Sequence, residues 1–446
     1  MTSVARGSLI VFAAQLVANV GFFVAVLILA RGLGPEGRGT IAFIIVSALV
    51  LARLSELGLS DATLVLASRR PQERRELLAN QLAFGIATST IVGGLASALL
   101  LALGQNAPAG IGPNEVALLF VGTIAVTVVD MTDAFVIGCG RIFQRAVVAA
   151  LTPWVYASIA AAMLWSGGLT VAHAGAAWAT ANAISAAVLI GIAWRLAAPV
   201  RPALALLRES LAFGLRAWVG VFASFLNMRF DQILLGLIST QAALGIYAVA
   251  VNGSEVLLYF PAAVQTALTP ALARVDQSIR HDQALRTFRI LMLTTIASVV
   301  AAAIVGPRLL PLLFGARFDG SVAPFLWLLP GAIGFATSKI FNSALLASAS
   351  AGRYSMSAIA ALVVGILLDL MLIPQYGAVG AAAAASGAFV AGGVVAMLLY
   401  RSRSPFHWRS LVPGITDVAT VGSLLTQLAG ELGPAVRVRR LRSDAK

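Results

Sequence analysis

Residues 8–30 read SLIVFAAQLVANVGFFVAVLILA, a run with no ionisable side chain. A helix of this length rises about 34 Å, enough to cross a hydrocarbon layer of about 30 Å. The run is too long for the apolar segment of a secretory leader, and no small-residue cleavage motif closes it, so it reads as a first membrane helix. Working outward, similar runs recur at 40–62, 79–103, 114–137, 144–166, 173–195, 209–236, 244–268, 288–313, 321–346, 354–373 and 377–400, each set off by a short polar break. The composition agrees. The 446 residues are 59% hydrophobic and 11% charged, with mean hydropathy +0.92. A soluble domain carries about 25% charged residues. Eighteen acidic and 31 basic residues cannot cover a water-soluble body of this size. A soluble enzyme, a coiled coil and a disordered chain are excluded, and an all-α polytopic membrane protein of about twelve spans is expected.

The net charge of +13 then acquires a different meaning. In a soluble protein it would point to nucleic acid; here it follows the loops. With the N-terminal end inside, the inner segments hold 23 basic residues and the outer ones four, namely Arg31, Arg38, Arg308 and Arg317. This asymmetry predicts a plasma (inner) membrane protein with both ends cytoplasmic and no nucleic-acid partner. Arginine far outnumbers lysine, a bias that suggests a GC-rich bacterial genome. The basic tail, 401–446, includes a mildly apolar stretch at 411–432 with Asp417 and Glu431, read as interfacial or disordered rather than as a further span.

A weak repeat occurs at an offset of 206 residues: Gly39-Thr-Ile-Ala42 opens the second run and Gly245-Ile-Tyr-Ala248 the eighth. An offset of six spans preserves direction through the membrane, so two parallel-related halves are expected. They are placed at 1–198 and 199–400.

Motifs for soluble chemistry fail. Gly32-Leu-Gly-Pro-Glu-Gly37 fits a dinucleotide fingerprint, but a membrane helix precedes it instead of a strand, and it reads as a tight interhelical turn. Lys339 is followed by Ile340, so no phosphate-binding Walker loop exists there. The lone Cys139 and the scattered His173, His281 and His407 give no metal-ligand pattern, and no metal or cofactor is expected.

The informative residues are the ionisable ones inside the spans: Arg53, Arg216, Arg229 and Lys339, with Glu56, Asp61, Asp130, Asp133, Asp231, Glu255 and Asp369. Each costs roughly 2.5–3.5 kcal/mol at mid-bilayer on insertion scales, so they must line a polar cavity or pair. Arg53 and Glu56 share a helix face, as do Asp130 and Asp133. Asn252, Glu255 and Tyr259 form one stripe; Lys339, Asn342 and Ser343 form another. Asp61, Asp133, Arg216 and Asp369 fall near span ends, where interhelix pairing or snorkelling is the plain reading. Cations from both halves suit an anionic headgroup, and carboxylates beside them suit exchange of H⁺ or Na⁺.

Four segments carry a family resemblance: Arg31-Gly-Leu-Gly-Pro-Glu-Gly-Arg-Gly39 with Leu54-Ser-Glu-Leu-Gly-Leu59; Phe213-Gly-Leu-Arg216 with Arg229-Phe-Asp-Gln-Ile-Leu-Leu-Gly236 and Leu244-Gly-Ile-Tyr247; Leu312-Leu-Phe-Gly315; and Leu372-Ile-Pro-Gln-Tyr-Gly-Ala-Val-Gly-Ala-Ala382. In order and spacing the chain resembles the polysaccharide-unit flippases of the multidrug/oligosaccharidyl-lipid/polysaccharide (MOP) exporter superfamily. The resemblance implies a MATE-like fold, two six-helix lobes around a central cavity. It also implies a transporter, not an enzyme. Such a transporter moves polyprenyl-diphosphate-linked oligosaccharide from the cytoplasmic to the outer leaflet by alternating access, beside polysaccharide polymerase partners and membrane lipids. Headgroup contact would fall on Arg53, Arg216, Arg229 and Lys339. Ion coupling would fall on Glu255, Asp231, Asp130 and Glu56. Members of that family often have Pro where Arg216 stands and Asn where Asp369 stands.

Two other classes are weighed. A cation-coupled drug antiporter of the same superfamily would use the same lobes with an acidic, aromatic cavity. A membrane-embedded glycan polymerase or transferase would need sizeable outer loops; the outer acids Glu36, Glu115 and Asp319 lie in short, separate ones.

Overall fold

The computed structural model describes residues 3–104, 110–198, 200–348, 350–414, 417 and 419. Every regular element among them is helical. In chain order they are α1 (Ser3–Glu56), α2 (Leu59–Arg69), α3 (Arg74–Leu103), α4 (Pro113–Gly138), α5 (Ile142–Trp165), α6 (Val171–Leu196), α7 (Leu204–Leu226), α8 (Phe230–Ile238), α9 (Gln241–Ala273), α10 (Gln277–Phe314), α11 (Val322–Ala347) and α12 (Ala351–Arg401).

Nine helices among the described residues are long and apolar enough to cross a membrane, or ten with α7, which bends by 54° between Arg216 and Trp218. The sequence suggests twelve crossings, and the difference lies in α1 and α12. Their apolar stretches run 44 and 50 residues. Straight, each would extend about twice the thickness of a bilayer. Each instead breaks at a glycine with positive φ: Gly34 (φ 69°) and Gly377 (φ 53°). A left-handed residue turns the chain where a side chain with a Cβ would be strained. The reversal in α12 is visible in its contacts. Gly380 lies on the Leu372 carbonyl, Gly365 faces Ala388 and Gly392 faces Ala361, the register of an antiparallel hairpin. Counted as two arms each, α1 and α12 account for the runs 8–30, 40–62, 354–373 and 377–400.

Two runs read as continuous are broken. The run 40–62 is interrupted at Leu57 and Gly58, both at positive φ, between α1 and α2. The run 209–236 is interrupted between Leu226 and Phe230. Both breaks adjoin ionisable residues, Glu56 in one case and Arg229 and Asp231 in the other. Unwound backbone at membrane depth is tolerated only where it is buried in protein or lines a polar cavity.

Residues before and after position 199 meet through α1 and α9. A Cβ on Gly39 would collide with the carbonyl of Gln241, and one on Gly245 with the carbonyl of Pro35. Pro35 and Gln241, like Gly39 and Gly245, are separated by the 206-residue offset of the repeat. The contact is therefore reciprocal, as at a two-fold interface. Near it, the Arg31 side chain donates to the carbonyls of Leu313 (2.8 Å) and Leu312 (3.2 Å) in the last turn of α10. These carbonyls have no partner within their own helix, and a cation suits that end. At the arginine-rich end, Arg70 donates to both carboxylate oxygens of Glu209 at 2.7 and 3.1 Å. Asn80 and the backbone of Ala203 exchange hydrogen bonds of 3.0 and 2.8 Å. The halves are thus tied at both ends.

One residue assigned to an outer loop lies elsewhere. Arg38 is only 5% exposed and sits in the protein interior at the start of the second arm of α1. The cause is the turn at Gly34, which ends four residues sooner than the loop read from the sequence. Beyond α12 the chain returns to the bundle. Arg289 binds Asp417 at 2.7 Å and the Ser410 carbonyl at 3.0 Å. The rest of the tail, with most of the stretch 411–432, lies outside the described residues.

The α1–α9 contact predicts that Gly245→Val lowers the thermal unfolding midpoint of the purified protein, by the equivalent of about 1–3 kcal/mol for an overpacked site. Gly94→Ala, whose added methyl meets only Phe120 at 3.9 Å, is expected to leave the midpoint unchanged. Equal midpoints for the two variants would contradict this packing.

Candidate functional site

Arg53 lies at the last turn of the second arm of α1, directly before the break at Leu57. Its Nη1 is 3.1 Å from Glu56 Oε2, and its Nη2 is 3.6 Å from Asp130 Oδ2 on α4. The guanidinium also stands 5.8 Å from the Phe225 ring of α7, and the Trp218 indole donates to the Arg53 carbonyl at 3.2 Å. The Arg53 side chain is nonetheless 40% exposed. It therefore faces open space where α1 meets α7, not a packed core. Glu56 is buried and leaves Oε1 without a hydrogen-bond partner.

The second cluster surrounds the break between α7 and α8. Arg229 precedes α8, and its Nη1 is 2.6 Å from Glu255 Oε1 on α9. Asp231, in the first turn of α8, accepts from its neighbour's backbone, Gln232 N at 2.8 Å, and from the Tyr247 hydroxyl on α9. Asp369, on the first arm of α12, is buried with Oδ1 unpartnered. Its helix packs against α8 and α9, which carry Asp231 and Tyr247. Two buried carboxylates thus share a region where one is held by donors and the other is not.

Lys339 occupies a third position. Its amine sits 4.4 Å over the Phe335 ring and forms no ion pair among the described residues. It lines a cavity of about 160 Å³ between α7, α11 and α12, with Ser224, Asn227, Ser338, Asn342 and Ser357. Phe225 borders both this cavity and Arg53, so the two regions are neighbours.

The structure therefore brings together Arg53, Glu56 and Asp130 in one group, and Arg229, Glu255 and Asp231 in another. Lys339 stands apart from both. Arg216 is exposed on α7 and makes no hydrogen bond or ion pair among the described residues. It lies two residues beyond Gly214, which touches Gly58 of the other half. A two-residue step turns it roughly 200° from that contact. Asp133 binds Arg145 at 2.8 Å, a pairing between α4 and α5.

The sequence profile of the polysaccharide biosynthesis protein family matches residues 28–323. The chain belongs to that family. No curated protein matches it in sequence. Its fold resembles that of a lipid II flippase, MurJ, in an inward closed conformation, with a TM-score of 0.72, 13% identity, and 95% of this chain and 93% of that one covered. It also resembles an inward-facing multidrug resistance MATE family transporter of the MOP superfamily, with a TM-score of 0.67, 14% identity, and 88% and 98% covered. A MOP superfamily transporter from Pyrococcus furiosus, described as having a binding pocket of reverse polarity, gives 0.57, 16%, 89% and 94%. At these identities the likeness establishes the fold: this family member is a multi-pass membrane protein of the MOP transporter architecture.

One residue was not singled out from the sequence, and a second, named there, lies deeper than the sequence suggests. Tyr247 lies in a motif that carries the family resemblance, but no local pattern announces its bond to Asp231. Asp369 reads as a span-end charge because its span was bounded at 373; the hairpin at Gly377 places it deeper.

The Arg229–Glu255 pair predicts non-additive stability. Arg229→Ala strands a carboxylate beside Asp231, and about 3 kcal/mol is expected to be lost, as on breaking other buried pairs. The double variant Arg229→Ala/Glu255→Ala should recover much of this in a denaturation cycle on the purified protein. Simple addition of the two single-variant losses would remove the pair from the account.

Proposed function

We propose that the protein flips polyprenyl-diphosphate-linked oligosaccharide from the cytoplasmic to the outer leaflet of the bacterial plasma membrane, for cell-surface polysaccharide synthesis. The halves 1–198 and 199–400 are the bodies that rock, and both chain ends are cytoplasmic. The observation that carries this reading is the placement of Arg53. It is a forked cation inside an apolar span, open to solvent, and set against α7 of the other half. Such a group suits a diphosphate, which accepts two parallel hydrogen bonds from a guanidinium. Membership of the polysaccharide biosynthesis family and the fold shared with a lipid II flippase support the same substrate class.

Coupling follows from competition. Glu56 and Asp130 hold Arg53, and Glu255 holds Arg229. A headgroup that takes over these donors frees the carboxylates to accept H⁺ or Na⁺. Asp231 and Asp369 add a second acidic site within the C-terminal half. Lys339, free of carboxylates, supplies a further cation, and Arg216 is the fourth candidate for headgroup contact. The glycan passes without bond cleavage, so no catalytic residue is assigned.

A second reading rests on the likeness to a multidrug resistance MATE transporter. In it Glu56, Asp130 and Asp369 would receive a cationic drug. The decisive measurement is depletion of the protein with analysis of inner-leaflet lipids and of dye efflux. Accumulation of a lipid-linked glycan is expected. Loss of cationic dye efflux with no such accumulation would favour the antiporter.

Arg53→Lys keeps the charge and the ion pairs but loses the fork. We expect it to reduce export severalfold at unchanged membrane abundance; normal export would remove Arg53 from headgroup contact. Asp369→Asn is expected to abolish the dependence of export on the ion gradient. Unchanged dependence on both pH and Na⁺ would discard that carboxylate as a coupling group.

A further inference from the structure

A second polar cavity, of about 150 Å³, lies at the arginine-rich end of the C-terminal half, away from the charged clusters described above. It is bounded by the start of α10, the end of α11 and the end of α12. Six of its seven lining residues are polar: Gln277, Arg280, Ser348, Tyr400, Arg403 and Ser404, with Leu345 the apolar one. None is acidic. This lining consists of two guanidiniums, three hydroxyls and an amide. The Ser348 hydroxyl donates to the Ala344 carbonyl and Tyr400 is engaged by His281, which leaves the two guanidiniums, the Ser404 hydroxyl and the Gln277 amide as donors suited to a phosphate group.

Arg280 is fixed in place. It donates to the carbonyls of Leu272 (2.9 Å) and Val275 (3.0 Å) and to the Ser348 hydroxyl (3.3 Å). All its partners are neutral, so its charge has no counter-ion. Arg403 is exposed and its side chain makes no hydrogen bond or ion pair among the described residues. Asp276 and Asp282, on the same helix as Arg280, form no ion pair with either arginine. Tyr400 is 2% exposed, and its hydroxyl is held by His281 Nδ1 at 3.1 Å. The cavity wall is therefore pre-set, and its positive charge is unbalanced.

The surroundings point to a bilayer interface. Directly after Ser404 the chain folds back as a short segment whose Trp408 and Val412 are 48% and 66% exposed. Arg401 stacks on Trp408 at 4.2 Å. Exposed tryptophan beside arginine is the composition of the headgroup layer. Basic pockets between helices on the cytoplasmic side suit anionic lipid headgroups.

We propose that this cavity binds a phosphate group, supplied by an anionic phospholipid of the inner leaflet or by free phosphate. The site is separate from the transport pathway and stands or falls independently of it. The placement in the inner leaflet follows the arginine asymmetry of the loops.

The test uses the full-length protein and reads its thermal unfolding midpoint under two regimes. In nanodiscs of pure phosphatidylcholine, inorganic phosphate is titrated against sodium chloride of equal ionic strength. In a second series without phosphate, phosphatidylglycerol replaces a rising fraction of the phosphatidylcholine. A saturable rise with phosphatidylglycerol assigns the phosphate to lipid; a rise with inorganic phosphate alone assigns it to the soluble ion. Arg403→Gln removes one charged donor, and Ser404→Asp places a carboxylate in the site. Neither side chain supports the bundle. Each is expected to weaken the midpoint response roughly tenfold in ligand concentration, the loss of about one charge-assisted hydrogen bond. No response in the wild-type protein, or responses unchanged in both variants, would overturn the site.

Discussion

An ion inside a hydrocarbon layer needs a counter-charge, an aromatic face or a polar cavity within the protein, and the polar architecture of this chain follows from that constraint. Arg53 and Arg229 are each held by carboxylates from another helix turn or another helix. Each also sits beside a break in its helix, between α1 and α2 and between α7 and α8. Breaks free backbone groups, and freed backbone needs the same polar surroundings that ions need. Charge and irregular backbone are thus concentrated in the same few places. The remaining spans stay regular and pack through small residues.

The second constraint is the way the halves touch. The reciprocal contact of Gly39 with Gln241 and of Gly245 with Pro35 allows two backbones to approach without intervening side chains. Arg31 on α10 reinforces that end, and Arg70 on Glu209 closes the other. The two differ in character: one is backbone packing with the Arg31 guanidinium capping carbonyls, the other a solvent-exposed ion pair. Exposed pairs contribute little, roughly 0–1 kcal/mol, and salt screens them further. The Asn80–Ala203 exchange and the contact of Gly58 with Gly214 add to the tie at the arginine-rich end.

The spans were legible because a bilayer imposes length and apolarity on every crossing, and runs such as 79–103 and 114–137 map directly onto α3 and α4. The repeat was legible only as a four-residue echo, yet it marked the contact between the halves. The breaks at Leu57 and at 227–229 were not legible. Leu57 is an ordinary apolar residue, and its positive φ is imposed by tertiary packing rather than by its own preference. Arg38 was misplaced because hydropathy cannot tell a loop arginine from one folded under the next helix. Same-face spacing paired Arg53 with Glu56, since that geometry is local. It could not pair Arg229 with Glu255 or set Asp369 near Asp231, because those partners are brought together by packing across 26 and 138 positions of sequence.

A ligand drives a conformational change only through different affinities for the two states. Under the proposed flippase function, that difference would have a physical origin in shared donors. The guanidiniums of Arg53 and Arg229 have a limited number of donors, and carboxylates occupy some of them. Under the proposed function, an anionic headgroup would gain most in the state where those carboxylates, neutralised by a proton or drawn to Na⁺, no longer compete for the donors. Linkage makes the effect reciprocal.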